Sequence, residues 1–215
     1  MGAILRRLRK DEAGATMVEF AVAVLLVLTL IGGVIDFLLA FWQWNSAVKA
    51  AEIGARIAAV SNPVAAGINP SSYTVPVTTT TGQPISGSAF GAITCDGAAH
   101  TCSSGGYDAT AMNWIVYGRG NASCVTAASV YSLGMCQVLS MLNPALSPAN
   151  VMIEYSFTGL GYQGGVAAPT ITLWLKNVKF HFFFLSGLLS FANITMPTVK
   201  YSITGEDISS SAPVN

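Results

Sequence analysis

Charge is what this sequence has least of. Ten Lys and Arg and ten Asp and Glu are spread over 215 residues, for a formal net charge of zero. Affinity for a phosphate backbone comes from clustered Lys and Arg, so this charge set excludes an electrostatic nucleic-acid binder. Disorder is excluded for a different reason: it needs high charge and little apolar surface, whereas this chain is 52% hydrophobic with a mean hydropathy of +0.55. Histidine is nearly missing, with only His100 and His181. The four cysteines, at 95, 102, 124 and 136, lack the close spacing of common zinc sites, so no metal and no cofactor is expected. The spacings that carry chemistry are missing as well: there is no G-x-S-x-G, no H-E-x-x-H and no P-loop. Residues 159–164 do match G-x-G-x-x-G after a strand candidate. However, Pro169 and β-branched residues follow where a helix should start, and no acid stands between Glu154 and Glu206 to hold a ribose, so the stretch reads as a loop. A Ser/His/Asp arrangement would have to draw on Asp96 or Asp108, both in Gly-rich loops. The expectation is a protein that is not an enzyme.

The few charges are unevenly placed. Residues 1–56 hold six of the ten basic and five of the ten acidic side chains, so the neutral average conceals two regions. Arg6, Arg7, Arg9 and Lys10 come first, followed by Asp11 and Glu12. From Phe20 to Trp42 the chain then runs for 23 residues with one charge, Asp36. As a helix this is roughly 35 Å long, against a hydrocarbon core of about 30 Å, so it can span a bilayer. Phe41, Trp42 and Trp44 at the far end suit the membrane–water boundary. Basic residues before the span place the N-terminus in the cytoplasm and the rest of the chain beyond the membrane. A cleaved secretory signal fits less well, because its apolar region is shorter and ends at a small-x-small site. Here Trp42, Gln43 and Trp44 follow instead, and helical spacing continues. Ala47, Ala51, Ala55 and Ala58 share one face, and Lys49, Glu52 and Arg56 another. One helix over residues 15–60 is expected, stopped by Asn62-Pro63.

Gly14 followed by Ala15-Thr16-Met17-Val18-Glu19-Phe20 at the head of this helix resembles the processing site of type IV pilins. In that family a membrane prepilin peptidase cuts after the Gly and leaves a Glu at the fifth mature position. Glu19 is fifth counting from Ala15. The run from Gly14 to Phe37, together with Gly54-Ala55-Arg56-Ile57-Ala58-Ala59-Val60, is similar to the TadE-like family of minor pilins or pseudopilins of the tight-adherence (Flp) pilus. Thr204-Gly205-Glu206-Asp207 after an extended apolar segment is similar to that family too. The resemblance covers residues 6–60. It implies a bacterial inner-membrane protein with a single span and a periplasmic ectodomain, and a leader of residues 1–14. It also implies partnership with prepilin peptidase, other pilin subunits and pilus assembly proteins. An uncut, membrane-anchored periplasmic scaffold is the alternative.

Physical reasoning on Glu19 stands beside the resemblance. A carboxylate near the start of a membrane helix is costly unless partnered or at the interface, and the bland alternative is an interfacial Glu that merely helps to start the helix. Cleavage after Gly14 would place the new α-amino group of Ala15 one helical turn away, able to neutralise Glu19 in cis or from a neighbouring subunit. The helix N-terminus favours negative charge there as well. Asp36, 17 residues further on, lies roughly 25 Å along the helix, near the outer interface. It is a candidate for an intramembrane helix–helix contact, the bland alternative being a side chain that reaches headgroup water. Gly32-Gly33 allows bending or close packing, the equal alternative being glycine tolerated in a membrane helix without a role.

Beyond the helix the fold class reads as α+β, a small ectodomain over residues 61–215 with an antiparallel sheet. Strands are expected at Ser72–Thr78, Met112–Tyr117, Val151–Phe157, Ile171–Phe184 and Ile194–Ile203, with a short amphipathic helix over Thr126–Leu142 and a frayed tail at Ser209–Asn215. Val178, Phe180, Phe182 and Phe184 would share one strand face and enter the core. For Phe183, Leu188, Leu189 and Phe191 core packing is the first reading, and an exposed patch against another pilin or the membrane surface is the alternative. An even cysteine count in an exported domain argues for disulfides. Spacing favours Cys95–Cys102 and Cys124–Cys136, with the other two pairings left open.

Overall fold

The structure, a computed structural model, describes residues 12–66, 68, 82–83, 91–125, 132–139, 145–157, 159–161, 163, 168–189 and 194–205. The fold class is α+β: a long N-terminal helix, α1 (Glu12–Ala59, 48 residues), is followed by a domain built on a five-stranded antiparallel sheet. The helix contains no proline and only Ala-, Leu-, Val-rich sequence over its first half, and it stops shortly before Asn62-Pro63, where proline cannot continue a helix. The chain divides into two compact units. One comprises Met1–Phe41 and His181–Asn193, the other Trp42–Phe180 and Ile194–Asn215.

In the first unit α1 is apolar all round. Every described side chain from Gly14 to Ile31 is exposed, including Phe20, Leu25, Leu26 and Leu30. A helix of this kind is either buried in a larger assembly or faces lipid. Beside it lies a second short helix, α4 (Phe184–Leu189). The sequence suggested that the strand beginning at Ile171 would run on to Phe184. It ends at Leu175 instead, because Asn177 takes a positive φ of 56° that breaks the extended path. The alternating strand face therefore does not form: Val178 is buried, Phe180 and Phe182 are half-buried, and Phe184 is exposed on a helix.

In the second unit the sheet order is β2-β1-β3-β4-β5, with β1 Ile93–Asp96, β2 Thr101–Cys102, β3 Val151–Ser156, β4 Thr170–Leu175 and β5 Val199–Thr204. The central register pairs Ile153 with Leu173 and Leu173 with Tyr201. Strict alternation along β3 buries Val151, Ile153 and Tyr155 and leaves Met152, Glu154 and Ser156 on the other face. On β4 and β5, Thr172 and Ser202 share a hydroxyl hydrogen bond of 3.0 Å, and Lys200 lies 5.4 Å from the Trp174 ring centroid. The buried strand residues join Ala47, Ala50, Ala51, Ala55, Ala58 and Ala59 of α1 in one apolar cluster. Small side chains let this part of α1 come close: a Cβ added at Gly54 would meet Met135 Cγ at 2.7 Å and Leu173 Cδ1 at 3.0 Å. On the helix face away from the cluster, Lys49 and Arg56 both bond Glu52, at 2.8 and 2.7 Å. Their pull, led by the Lys49 hydrogen bond, holds the Glu52 carboxyl below its usual range.

Three expected strands are corrected. Met112–Tyr117 belongs to a helix, α2 (Ala109–Tyr117). Asp108 caps it by accepting from the N–H groups of Thr110 (2.8 Å) and Ala111 (3.1 Å), and Ala111, Met112, Ile115 and Val116 supply a buried stripe. Gly118, at φ 86°, closes it where Ser132 leaves no room for a Cβ. The strand beginning at Ile171 is the short β4 already described. At the C-terminal end only Val199–Thr204 is strand, preceded by an isolated bridge between Thr195 and Lys179. Of Thr126–Leu142, expected as a helix, residues 132–139 are described, and within them only α3 (Met135–Val138) is α-helix. The leader up to Asp11, Ser72–Thr78, Phe191, Glu206, Asp207 and Ser209–Asn215 lie outside the described residues.

Candidate functional site: the N-terminal helix and its buried aspartate

Gly14, Ala15 and Glu19 lie in the opening turns of α1, and all three are exposed. Nothing lies within 4 Å of a Cβ built on Gly14, so packing makes no demand for glycine there. In a helix glycine is less stable than alanine by about 1 kcal/mol, and so the residue carries a local cost without a steric reason. Among the described residues Glu19 takes part in no ion pair.

Asp36 is the opposite case. It is fully buried, and its partners come from 147 to 149 residues further along the chain. The Phe183 N–H donates to Oδ1 at 2.9 Å, and the N–H groups of Phe184 and Leu185 donate to Oδ2 at 2.9 and 2.6 Å. These donors surround the first turn of α4, where backbone N–H groups have no intrahelical acceptor. One side chain thus satisfies three backbone donors, and they in turn satisfy both of its oxygens. Gly32, one turn earlier on α1, completes the fit. A Cβ there would come within 3.0 to 3.2 Å of Phe184 Cγ, Cδ1 and Cβ, whereas Gly33 faces open space. A groove of about 360 Å³ runs along this face, lined by Leu25, Leu28, Gly32, Ile35, Phe184 and Leu185 among others.

The remaining candidates serve architecture. Cys95 is paired with Cys102 across β1 and β2, where they are register partners, and Cys124 is paired with Cys136 of α3. Asp108 caps α2, and Asp96 holds Lys176 Nζ at 2.6 Å. His100 stacks on Tyr107, whose hydroxyl burial and neighbouring acids push up to about 12. Tyr155 is wholly buried, with its hydroxyl accepting from the Val64 N–H at 2.9 Å. Burial raises its pKa above the ordinary range.

Among the described residues α1 is long and apolar enough to cross a membrane, and only 11% of its most apolar stretch is buried, unlike the core helix of a water-soluble domain. Residues 14–56 match the family model of TadE-like proteins. The matched stretch begins at Gly14, holds Glu19, Gly32 and Asp36, and ends at Arg56, so it lies wholly within α1. Comparison with curated proteins and with solved structures finds no match. The TadE-like stretch contains one half of the Asp36 arrangement. The other half, Phe183–Leu185, lies far outside it. Sequence reasoning singled out Asp36 but not those donors, because backbone N–H groups leave no residue-type signature. Phe183 and Phe184 stand out in the sequence for their rings and not for their N–H groups.

Proposed function

We propose that this chain is a minor pilin or pseudopilin acting in biogenesis of a tight-adherence pilus, cut by a prepilin peptidase after Gly14. In this reading α1 sits in the bacterial inner membrane with its N-terminus in the cytoplasm, and the sheet domain faces the periplasm. The supporting observation is the opening of α1. A glycine that packing does not require is followed, at the fifth position after it, by an exposed carboxyl group, at the point where the TadE-like match begins. Cleavage would free the Ala15 amino group one helical turn from Glu19, roughly 6 Å away along the axis, giving that carboxyl a cationic partner in the same chain or the next. The unbroken exposed surface from Gly14 to Ile31 supports a role in which lipid covers the helix first and other pilin helices cover it later.

Intact-mass and N-terminal analysis of membrane protein from cells with and without the host's prepilin peptidase tests the reading. A mature chain beginning at Ala15 only when the peptidase is present supports it. A chain that retains Arg6–Lys10 in cells with active peptidase overturns it and leaves the uncut scaffold.

A further inference from the structure

We propose that residues 181–189 form a second membrane-contacting element, which enters the leaflet at the Trp42 end of the span and is positioned there by Asp36. The excursion has a defined neck. Lys179 and Thr195 form a bridge, the Phe180 N–H donates to the Ile194 carbonyl at 2.9 Å, and the Met196 N–H donates to the Val178 carbonyl at 2.7 Å. Beyond this bridge the described residues His181–Leu189 carry no Asp, Glu, Lys or Arg. They belong to the same compact unit as the apolar part of α1.

Asp36 lies six residues before Trp42, about 9 Å along the helix, inside the hydrocarbon if Trp42 marks the boundary. Irregular backbone is tolerated at that depth only where its polar groups are satisfied by protein. That condition is met at the point of entry, since the three N–H groups around the first turn of α4 are taken by Asp36. Ser186 meets it too, its hydroxyl donating to the Phe182 carbonyl at 2.7 Å. On α1 itself, Thr29 returns its hydroxyl to the Leu25 carbonyl at 2.7 Å. Two aromatic side chains of the element are exposed: Phe183 at 64% and Phe184 at 54%. Two adjacent phenyl rings in water are unfavourable and mark a contact surface. The occupant is lipid of the bilayer that α1 crosses, because the rings continue the exposed apolar surface of the span, with Phe184 lying against Gly32.

The test uses the full chain in vesicles of phosphatidylcholine and phosphatidylglycerol, with photoreactive benzoylphenylalanine in place of Phe183. The same residue at Leu26 reports the span, and at Val125 the sheet domain. Lipid adducts at 183 comparable with those at 26, and none at 125, are expected. Adducts at 26 without adducts at 183, or crosslinks from 183 chiefly to a second copy, overturn the proposal while leaving the span intact. Absence of lipid adducts at 26 overturns both. In Asp36→Ala the adduct at 183 should fall about fivefold or more, the ratio that one net hydrogen bond sustains, with labelling at 26 unchanged. Asp36→Asn, which retains an acceptor oxygen, should keep most of it. Undiminished labelling at 183 in Asp36→Ala overturns the positioning role. Prepilin cleavage enters none of these readouts, so they stand apart from the assembly reading.

Discussion

Gly32 and Phe184 fit each other. The ring stands where a Cβ on the glycine would come within 3.0 Å of Cγ, and the Phe184 N–H is held by Asp36 one turn further along α1. Gly32→Leu should therefore expose the amides of Phe183, Phe184 and Leu185 to exchange, with opening favoured by about 1–3 kcal/mol as for other overpacked sites. Gly33→Ala, into open space, should leave their exchange unchanged. Hydrogen exchange of the full chain in detergent micelles reads both.

Glu19 is expected to matter only after processing. Glu19→Ala should insert into the membrane and be cut normally yet assemble poorly. A hydrogen bond to a charged group is worth about 1.5–3 kcal/mol, so loss of the Ala15 amino partner should lower filament yield about tenfold or more. Quantitative shearing of pili, compared with membrane levels of the subunit, reads the effect, and normal piliation would remove the pairing role.

Acid should weaken the sheet domain in a defined window. The hydrogen bond from Lys176 holds the Asp96 carboxyl below its ordinary 3.8, against partial burial and with help from the Ala98 N–H. A carboxyl depressed in the folded state adds stability above its unfolded pKa and loses that contribution as pH falls through the folded value. Stability from this pair should hold from neutral pH down to about 4 and decline below it. Both side chains are partly exposed, so the contribution is about 0.5 kcal/mol. Lys176→Met should flatten that part of the acid limb in denaturant titrations at successive pH values.

Tyr155→Phe should cost more. It removes the acceptor of the Val64 N–H inside the core and leaves a buried donor unsatisfied, a penalty of about 1–3 kcal/mol. Urea unfolding of the detergent-solubilised full chain should show a lower midpoint with an unchanged slope.

The elements legible in advance were those whose causes are local. The apolar run and the Asn62-Pro63 stop marked α1 to within a few residues, and the alternation in Val151–Ser156 marked β3. Met112–Tyr117 misled because its aromatic and β-branched residues suit a strand by propensity. The cap at Asp108 and the stripe of Ala111, Met112, Ile115 and Val116 outweigh that preference. Ile171–Phe184 misled because alternation runs on past Asn177, where the backbone turns.

What the sequence determined by itself is a helix of membrane-spanning length with a TadE-like opening, because hydrophobic length and motif spacing are properties of neighbouring residues. What only the tertiary structure decided is the fate of Asp36. Whether an acid within an apolar helix faces lipid, water or a partner depends on which donors the rest of the chain brings to it. Here they are backbone N–H groups from Phe183 to Leu185, which every non-proline residue possesses and no sequence pattern announces.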